Sequence, residues 1–531
     1  AKLRDAATGG GTAVGRAREV VAPALDELES AGVERSSIVS AAVFTTDDVT
    51  RLLRSTRRAV HAGPPPEVVG IDRVYSAQNG TLEDLFGTTK AADPKPGVVE
   101  AAANDPGERA VAHDDIASVV IGRARLPRVR TGKEKEVGRP NRDRDGGVVA
   151  ERRDEVPFVL AVPQVQDVSK LPVSVVAAHV GRVIPMVFTD TLAERGIATL
   201  AFDLPLRGQR AESGKDTKRN LRGIDGADGL WLDSTTQVET KIVGLSSSLE
   251  MAGLPDYPLG TLLQIEADIM GMVRLLREGD IGEIRKQAPG LANLGFDADE
   301  ILVHGRHLGG GRAAAVLAAE PHIAGASFGV SQASFTETYL LAPKYRPAIL
   351  EAVLPALSLQ QSFDGEENRA LMHPVVDFYR WTLDPVDPRA LAPYVLRDPV
   401  VSGKPPDVMW LAARYDQLNS TLAVEPLLAN LGLETLGGTF EYAPLVSAEP
   451  PVGGNRMANG EPVTAGAYML GAQQRLDYRH EGEVKWKPPL EPPFERYTPA
   501  KVVDSPIEDF HRLLGEFAES VVDGNATIPK R

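Results

Sequence analysis

Residues 300–320 (EILVHGRHLGGGRAAAVLAAE) restrict the possible folds of this chain more than any other segment. An apolar run leads directly into a glycine-rich turn, and an alanine-rich stretch typical of a helix follows it. Glycine is required where a sharp turn brings two backbones too close together for a Cβ atom. The segment therefore predicts a buried strand, a tight turn that presents His307, and a helix packed closely against the strand.

The sequence around this segment repeats the same alternation. From about residue 155, short apolar runs alternate with helical patterns, which indicates a mostly parallel sheet flanked by helices. The strand candidates are 155–162, 172–178, 197–203, 300–304, 323–330 and 407–413. The clearest helices are 261–277, with apolar residues at helical spacing, and 506–522. We predict an α/β fold.

The length of 531 residues suggests two or three domains. We predict a smaller N-terminal α+β accessory region over 1–150, with a helix at 15–32, a strand at 36–46 and a helix that starts near 48. The charged stretch 121–154 is predicted to be a solvated loop. The main domain is predicted over 151–531. Two insertions, about 204–260 and 331–396, interrupt its alternation and are expected to form caps over a site.

Charge and composition exclude several classes of function. The formal net charge is −15, and an acidic surface repels phosphate, so nucleic acid is not an expected partner. The chain has no cysteine, which excludes disulfides and thiol catalysis. It has no apolar run of about 18 residues, so no transmembrane segment is predicted. The chain begins at Ala1 without a recognisable signal peptide, and we expect it to be processed.

The turn Gly305-Arg306-His307-Leu308-Gly309 matches the frame of the motif G-x-S-x-G. In that motif a serine between a strand and a helix acts as the nucleophile of an α/β-hydrolase. Here both glycines of the frame are present, and His307 stands where the serine is expected. The sequence thus predicts the turn but replaces its nucleophile.

Two further residues follow in the order expected of such a site. Asp416 comes after the strand candidate 407–413, and a carboxylate there can orient a histidine. His480 lies in a polar segment further along the chain. Taken alone, each is explained equally well as an ordinary strand-end or loop residue. The order 307, 416, 480 is the order of an α/β-hydrolase triad, so we predict His307, Asp416 and His480 as catalytic. His511 is the competing histidine, but it falls inside the predicted helix 506–522.

An oxyanion site is expected after the strand candidate 172–178, where His179 and Val180 follow. Backbone N–H groups of such a segment, together with that of Leu308, would stabilise a developing negative charge. A metal site at His304, His307 and His179 is a weaker alternative, because a histidine at the end of a buried strand is more often packed in the core. We predict no metal and no cofactor.

The turn at 305–309 and several other segments of the chain resemble bacterial secreted lipase- or esterase-like α/β-hydrolases that carry an N-terminal accessory region. The similar segments are 43–53 (VFTTDDVTRLL), 196–210 (GIATLAFDLPLRGQR), 301–311 (ILVHGRHLGGG) and 382–399 (TLDPVDPRALAPYVLRDP). The opening LRDAATGG resembles the end of a preceding β-rich module, so we expect further sequence before it. The resemblance implies a small-molecule or lipid ester as ligand and a secreted or cell-surface location. It leaves the oligomeric state open.

Two departures from that family lie at the centre of the predicted site. The family turn resembles G-H-S-L-G-G, where this chain has Arg306-His307, and the family oxyanion segment resembles H-G-x-G, where this chain has His179-Val180-Gly181. Three hypotheses follow. The protein is an active ester hydrolase with His307 or Ser331 as nucleophile, or a catalytically inactive relative that binds or scaffolds, or a protein whose native residue 307 is serine.

Overall fold

The computed structural model describes residues 25–34, 48–86, 112–133, 138–178, 182, 188–206, 208–210, 256–341, 374–413, 419–437, 440, 445–470 and 506–531. The chain divides into two compact units, Ala1–Asp48 and Val49–Arg531. In the first unit, residues 25–30 are helical, within the predicted helix 15–32. The predicted strand 36–46 lies outside the described residues.

The second unit is built on one ten-stranded sheet. Its strands are β1 (Glu67–Ser76), β2 (Ile116–Arg128), β3 (Arg152–Pro163), β4 (Leu171–Ala178), β5 (Ala198–Phe202), β6 (Phe296–Arg306), β7 (Gly325–Ser331), β8 (Asp407–Ala413), β9 (Glu434–Gly437) and β12 (Ala465–Leu470). A separate hairpin pairs β10 (Arg456–Ala458) with β11 (Glu461–Val463). The strand order is β1-β2-β3-β5-β4-β6-β7-β8-β12-β9.

Strand directions confirm the predicted fold class. The pairs from β1 to β5 along the sheet are antiparallel, and every pair from β5 to β9 is parallel. All six predicted strands are present within a few residues. They were readable because strands buried on both faces of a parallel sheet are continuous apolar runs, and β5, β7 and β8 are buried throughout. The protein has an α/β fold built on one mostly parallel sheet.

Helices cover both faces of the sheet. They are α1 (Thr50–Ala62), α2 (Leu82–Phe86), α3 (Thr189–Ala193), α4 (Asp256–Glu278), α5 (Gly282–Gln287), α6 (His307–Val316), α7 (Phe335–Leu341), α8 (Pro374–Leu383), α9 (Pro388–Leu391), α10 (Pro393–Leu396), α11 (Thr421–Leu431) and α12 (Pro506–Val522). Helices α4 and α6 pack together on one face, and α3 and α12 pack together on the other.

Alternation along each strand divides the apolar residues between two cores. Val303 belongs to the core that contains Ile265 of α4, whereas the preceding Leu302 belongs to the core that contains Phe517 of α12. Successive strand residues point to opposite faces of a sheet, so the two layers of helices bury both sides of β6. None of the helices in the described part of the chain is long and apolar enough to cross a membrane.

The prediction of a solvated loop over 121–154 was wrong at both of its ends. Strand β2 continues to Arg128, and β3 begins at Arg152 and pairs with it. Asp154 is buried and contacts Arg128, while Arg210 lies 3.5 Å from Asp154 and also contacts the buried Asp268. Charge density was taken as a sign of solvation, but these charges are buried in opposite-sign pairs.

The C-terminal part of the predicted accessory region also joins the sheet. Strands β1 and β2 lie within residues 67–128 and extend the sheet beyond β3, so residues on both sides of position 150 share one ladder. The central parts of the two predicted caps, 211–255 and 342–373, lie outside the described residues.

Candidate functional site

The turn between β6 and α6 has the sharp geometry that the sequence predicts. Strand β6 ends at Arg306 and α6 begins at His307, whose φ is +49°. A left-handed backbone is uncommon for a residue other than glycine, and it costs free energy that the surrounding structure must offset. The side chain of His307 is half-buried at this turn.

Glycines allow the strand, the helix and the next strand to touch. A Cβ atom on Gly305 would lie 2.4 Å from the Cα atom of Gly310, and one on Gly310 would lie 1.9 Å from Oγ of Ser331. Both distances are far below van der Waals contact. The close packing of strand against helix, which the glycine run predicts, therefore depends on the absence of side chains at these two positions.

Asn419 contacts the imidazole of His307. Its Nδ2 atom lies 3.2 Å from His307 Nδ1, and the same atom donates a 2.7 Å hydrogen bond to the carbonyl oxygen of Val330. Asn419 is buried and immediately precedes Ser420, at the N-terminus of α11. Sequence reasoning missed it. The available signal was a polar residue between the strand β8 and a helix start, three residues after the predicted acid.

Ser331, the alternative nucleophile, is not presented to the site. It is fully buried, and its Oγ lies 2.9 Å from the carbonyl oxygen of Gly305 and 3.3 Å from that of Gly329. A hydroxyl held by backbone carbonyls inside the sheet braces the end of β7. The geometry therefore does not support Ser331 as a nucleophile.

Two histidines lie buried beneath the turn. Nδ1 of His304 lies 2.9 Å from Oγ of Ser327, and the ring packs against Phe188 and Phe510. Burial, with the positive charge of Arg306 nearby, lowers the pKa of His304 to about 3 and that of His511 to about 4. Both rings are neutral at physiological pH. His511 is thus a core residue of α12, as its position in a predicted helix indicated.

The weaker metal hypothesis finds no support in the ranges that the structure covers. There, no group of three or more histidine or acidic side chains is arranged to hold a metal ion.

Of the predicted oxyanion residues, Leu308 is described and the others are not. Leu308 is buried as the second residue of α6, in the first turn, where backbone N–H groups have no partner within the helix. His179 and Val180 lie outside the described residues, and so do Asp416 and His480. The described part of the site therefore brings together His307, Leu308 and Asn419.

Asp203 links two segments that the sequence predicts to border the site. It is buried at the end of β5, where its Oδ1 accepts a 3.1 Å hydrogen bond from the backbone N–H of Arg182 and its Oδ2 accepts one of 3.1 Å from that of Gln209. Arg182 follows the predicted oxyanion segment, and Gln209 lies near the start of the first predicted cap. One carboxylate thus ties the two together.

A buried charged group braces the far side of α6. Arg312 lies 3.4 Å from Glu266 of α4 and also donates to the carbonyl oxygen of Val386. Asp387 accepts hydrogen bonds from Ser334 Oγ and from the backbone N–H of Phe335, both of 2.9 Å. Burial raises the pKa of Glu266 well above its usual value. The segment 382–399 therefore serves to hold α6, and with it the turn, in place.

No protein-family model matches the chain, and no curated protein matches it in sequence. It is similar in structure to a 2,6-dihydroxy-pseudo-oxynicotine hydrolase, with 16 % identity, a TM-score of 0.28 and coverage of 56 % of this chain and 58 % of that one. It is also similar to the acylaminoacyl peptidase of Pyrococcus horikoshii, with 11 % identity, a TM-score of 0.30 and coverage of 60 % of this chain and 35 % of that one. A third similar structure is an acetyl xylan esterase from Paenibacillus sp. R4, with 13 % identity, a TM-score of 0.33 and coverage of 82 % of this chain and 90 % of that one.

The chain spans less than two thirds of the length of the first two of these structures. Its fold is assigned from its own strand order and from the turn at His307.

Proposed function

We propose that the protein binds a small-molecule or lipid carboxylic ester, or the corresponding acid, at the turn between β6 and α6, with His307 facing the ligand. The observation that supports this most is the backbone of His307. Its φ of +49° is held at the position where an esterase keeps its nucleophile, although the side chain is an imidazole. Backbone strain clusters at active sites and ligand-binding positions, and here the strained residue also presents a half-buried side chain.

Binding without turnover is the function we favour. Loss of the serine nucleophile in a serine hydrolase costs on the order of 10⁶ in turnover. The alternative hydroxyl that the sequence suggested, that of Ser331, is fully buried and bonded to backbone carbonyl oxygens. The site therefore keeps the shape of an esterase turn without its hydroxyl.

Slow ester hydrolysis is the second candidate, since histidine can form covalent intermediates. In that case a ring nitrogen of His307 forms a bond to the ester carbonyl carbon, and the alcohol leaves with the ring proton. Water then hydrolyses the acyl-imidazole and releases the acid. The strained backbone at His307 supports this candidate as much as it supports binding.

A fluorophosphonate probe followed by peptide mass spectrometry separates the hypotheses. We expect no adduct and a histidine mass at 307, and, in a parallel ligand titration, binding of short esters that disappears in His307→Ala. His322→Ala, at a half-buried surface histidine, is the matched control. An adduct at Ser331 would contradict the proposal, and so would hydrolysis of short nitrophenyl esters at rates typical of esterases. A serine mass at 307 would restore the ordinary hydrolase hypothesis.

We further propose, from the sequence resemblance, that the protein is secreted or displayed at the surface of a bacterial cell and that its ligand is of the kind that lipases and esterases hydrolyse. Cell fractionation followed by immunodetection tests the location. Recovery of the protein only from the cytosol would contradict it.

A further inference from the structure

We infer that Asn419 is a positioning residue that holds His307 in the tautomer with its proton on Nε2, so that the imidazole donates a hydrogen bond to an oxygen atom of the ligand. This inference rests on the proposed function only for the identity of the ligand. The tautomer itself follows from the contacts among Val330, Asn419 and His307.

The carbonyl oxygen of Val330 determines which way the amide of Asn419 faces. A carbonyl oxygen can only accept, so the Asn419 atom that lies 2.7 Å from it must be the amide nitrogen. The same nitrogen lies 3.2 Å from His307 Nδ1, and an amide nitrogen can only donate. Nδ1 is therefore the acceptor in this pair. A neutral imidazole with an accepting Nδ1 carries its single proton on Nε2.

Burial makes the reverse orientation of the amide unfavourable. Asn419 is 5 % exposed and Val330 is also 5 % exposed. A flipped amide would set two oxygen atoms against each other at 2.7 Å and leave a buried carbonyl without its donor. An unsatisfied buried polar group costs roughly 1–3 kcal/mol. The Val330 carbonyl thus fixes the amide, and the amide fixes the imidazole.

The tautomer decides which ligand chemistry the ring can serve. With its proton on Nε2, His307 offers an N–H donor, which suits the carbonyl oxygen of an ester or the carboxylate of an acid. It does not suit an ammonium or amide N–H group, which needs an acceptor. The same protonation leaves Nε2 without a lone pair for attack on a carbonyl carbon, which agrees with binding without turnover.

Two-bond ¹H–¹⁵N correlation spectra of the ¹⁵N-labelled full chain test the tautomer directly. The chain has nine histidines, and the signals of His307 are assigned by their loss in His307→Gln. At neutral pH we expect a protonated Nε2 and an unprotonated Nδ1. A protonated Nδ1 in the unmodified protein would overturn the inference, whether or not esters bind.

The variant Asn419→Asp tests the role of the amide, because a carboxylate can only accept a hydrogen bond and so favours the tautomer with its proton on Nδ1. Asn430→Asp is the matched control, since Asn430 lies in the last turn of α11 and donates to the carbonyl oxygen of Arg389 instead. We expect the His307 signals to change to the Nδ1-protonated pattern in Asn419→Asp and to stay unchanged in Asn430→Asp. Unchanged signals in a folded Asn419→Asp variant would overturn the inference.

Titration of the protein with butyrate, methyl butyrate and butylamine, followed on the same His307 signals, identifies the ligand chemistry. We expect shifts with butyrate or methyl butyrate and none with butylamine, and about tenfold weaker butyrate binding in Asn419→Asp, since a hydrogen bond to a charged group is lost. A shift with butylamine alone would overturn the assigned ligand class. An Nε2-protonated His307 that no oxygen ligand shifts would overturn the proposed function, while the positioning role of Asn419 would stand.

Discussion

The ends of β6 and β7 lie side by side in the sheet, and each carries a residue with a left-handed backbone. The φ angle is +49° at His307 and +43° at Val330. The two strand ends differ in the exposure and the contacts of their side chains. The imidazole of His307 is half-buried and faces Asn419, whereas Val330 and Ser331 are buried: the Val330 carbonyl accepts from Asn419, and Ser331 Oγ donates to the carbonyl oxygen of Gly305.

The difference teaches that strain alone does not identify a reactive residue. Both strand ends depart from ordinary backbone geometry, but the β6 end presents a side chain, whereas the β7 end supplies contacts that hold the β6 end. The Val330 carbonyl orients Asn419, and Ser331 lies against Gly305 and Gly310 beneath the His307 turn. The end of β7 thus supports the end of β6.

A serine at position 307 tests whether the end of β6, rather than the end of β7, carries the reactive side chain. In His307→Ser we expect hydrolysis of short nitrophenyl esters to rise on the order of 10³-fold, because the hydroxyl would meet the predicted Asp416 and His480. Initial rates measured on the purified variant check this. Adding Ser331→Ala should leave the gained rate unchanged. If no rate is gained, the predicted triad partners are wrong.

Gly310→Ala tests the contact between the two ends. The added Cβ would overlap Ser331 and the backbone of Gly305, so we expect a loss of about 3 kcal/mol in the free energy of unfolding. Urea denaturation measures it. Gly63→Ala is the matched control, because nothing lies within 4 Å of its Cβ position. Equal stabilities of the two variants would show that the ends are not in close contact.

Acid should weaken the support beneath β6. His304 and His511 have folded pKa values of about 3 and about 4, below the value of about 6.5 expected in the unfolded chain. The unfolded chain therefore binds more protons as pH falls from 6.5 to 4, and the free energy of unfolding decreases in that window. For His511 the loss is about 3 kcal/mol at most.

Urea denaturation at a series of pH values measures this slope. His511→Gln cannot take up the proton, so its stability should depend less steeply on pH between 6.5 and 4. A slope identical to that of the unmodified protein would mean that His511 is not buried as a neutral ring.

The smallest expected effect is on stability, and it distinguishes the structural role of Ser331 from the ligand contact of His307. Ser331→Ala removes the bond to Gly305 and should lower the free energy of unfolding by about 1 kcal/mol, with no change in the binding of short esters. His307→Ala should abolish binding at little cost in stability, because the side chain is only half-buried. Thermal unfolding and ligand titration of both variants check this. Loss of ligand binding in Ser331→Ala would contradict the division of roles.

Strands, helices and turns of this fold were predictable from the sequence where a local residue pattern determines their conformation. The strands around β6 were readable as apolar runs, and the turn at 305–309 was readable from its glycines. The segment 121–154 was misjudged, because a charged residue such as Asp154 carries no local sign of the buried partner that it meets across the sheet.

The sequence by itself determined the α/β class and the identity of the residue at the turn, because periodicity and glycine spacing are local properties of the chain. Only the tertiary structure decided that Asn419 contacts His307 and that Ser331 is closed off from the site. Those contacts join residues far apart in the chain, from β6, β7 and the start of α11, and hydrogen bonds between them form only when the sheet brings the strand ends together. The chemistry of His307 depends on that assembly, since a neighbour's amide decides which nitrogen of the ring carries the proton.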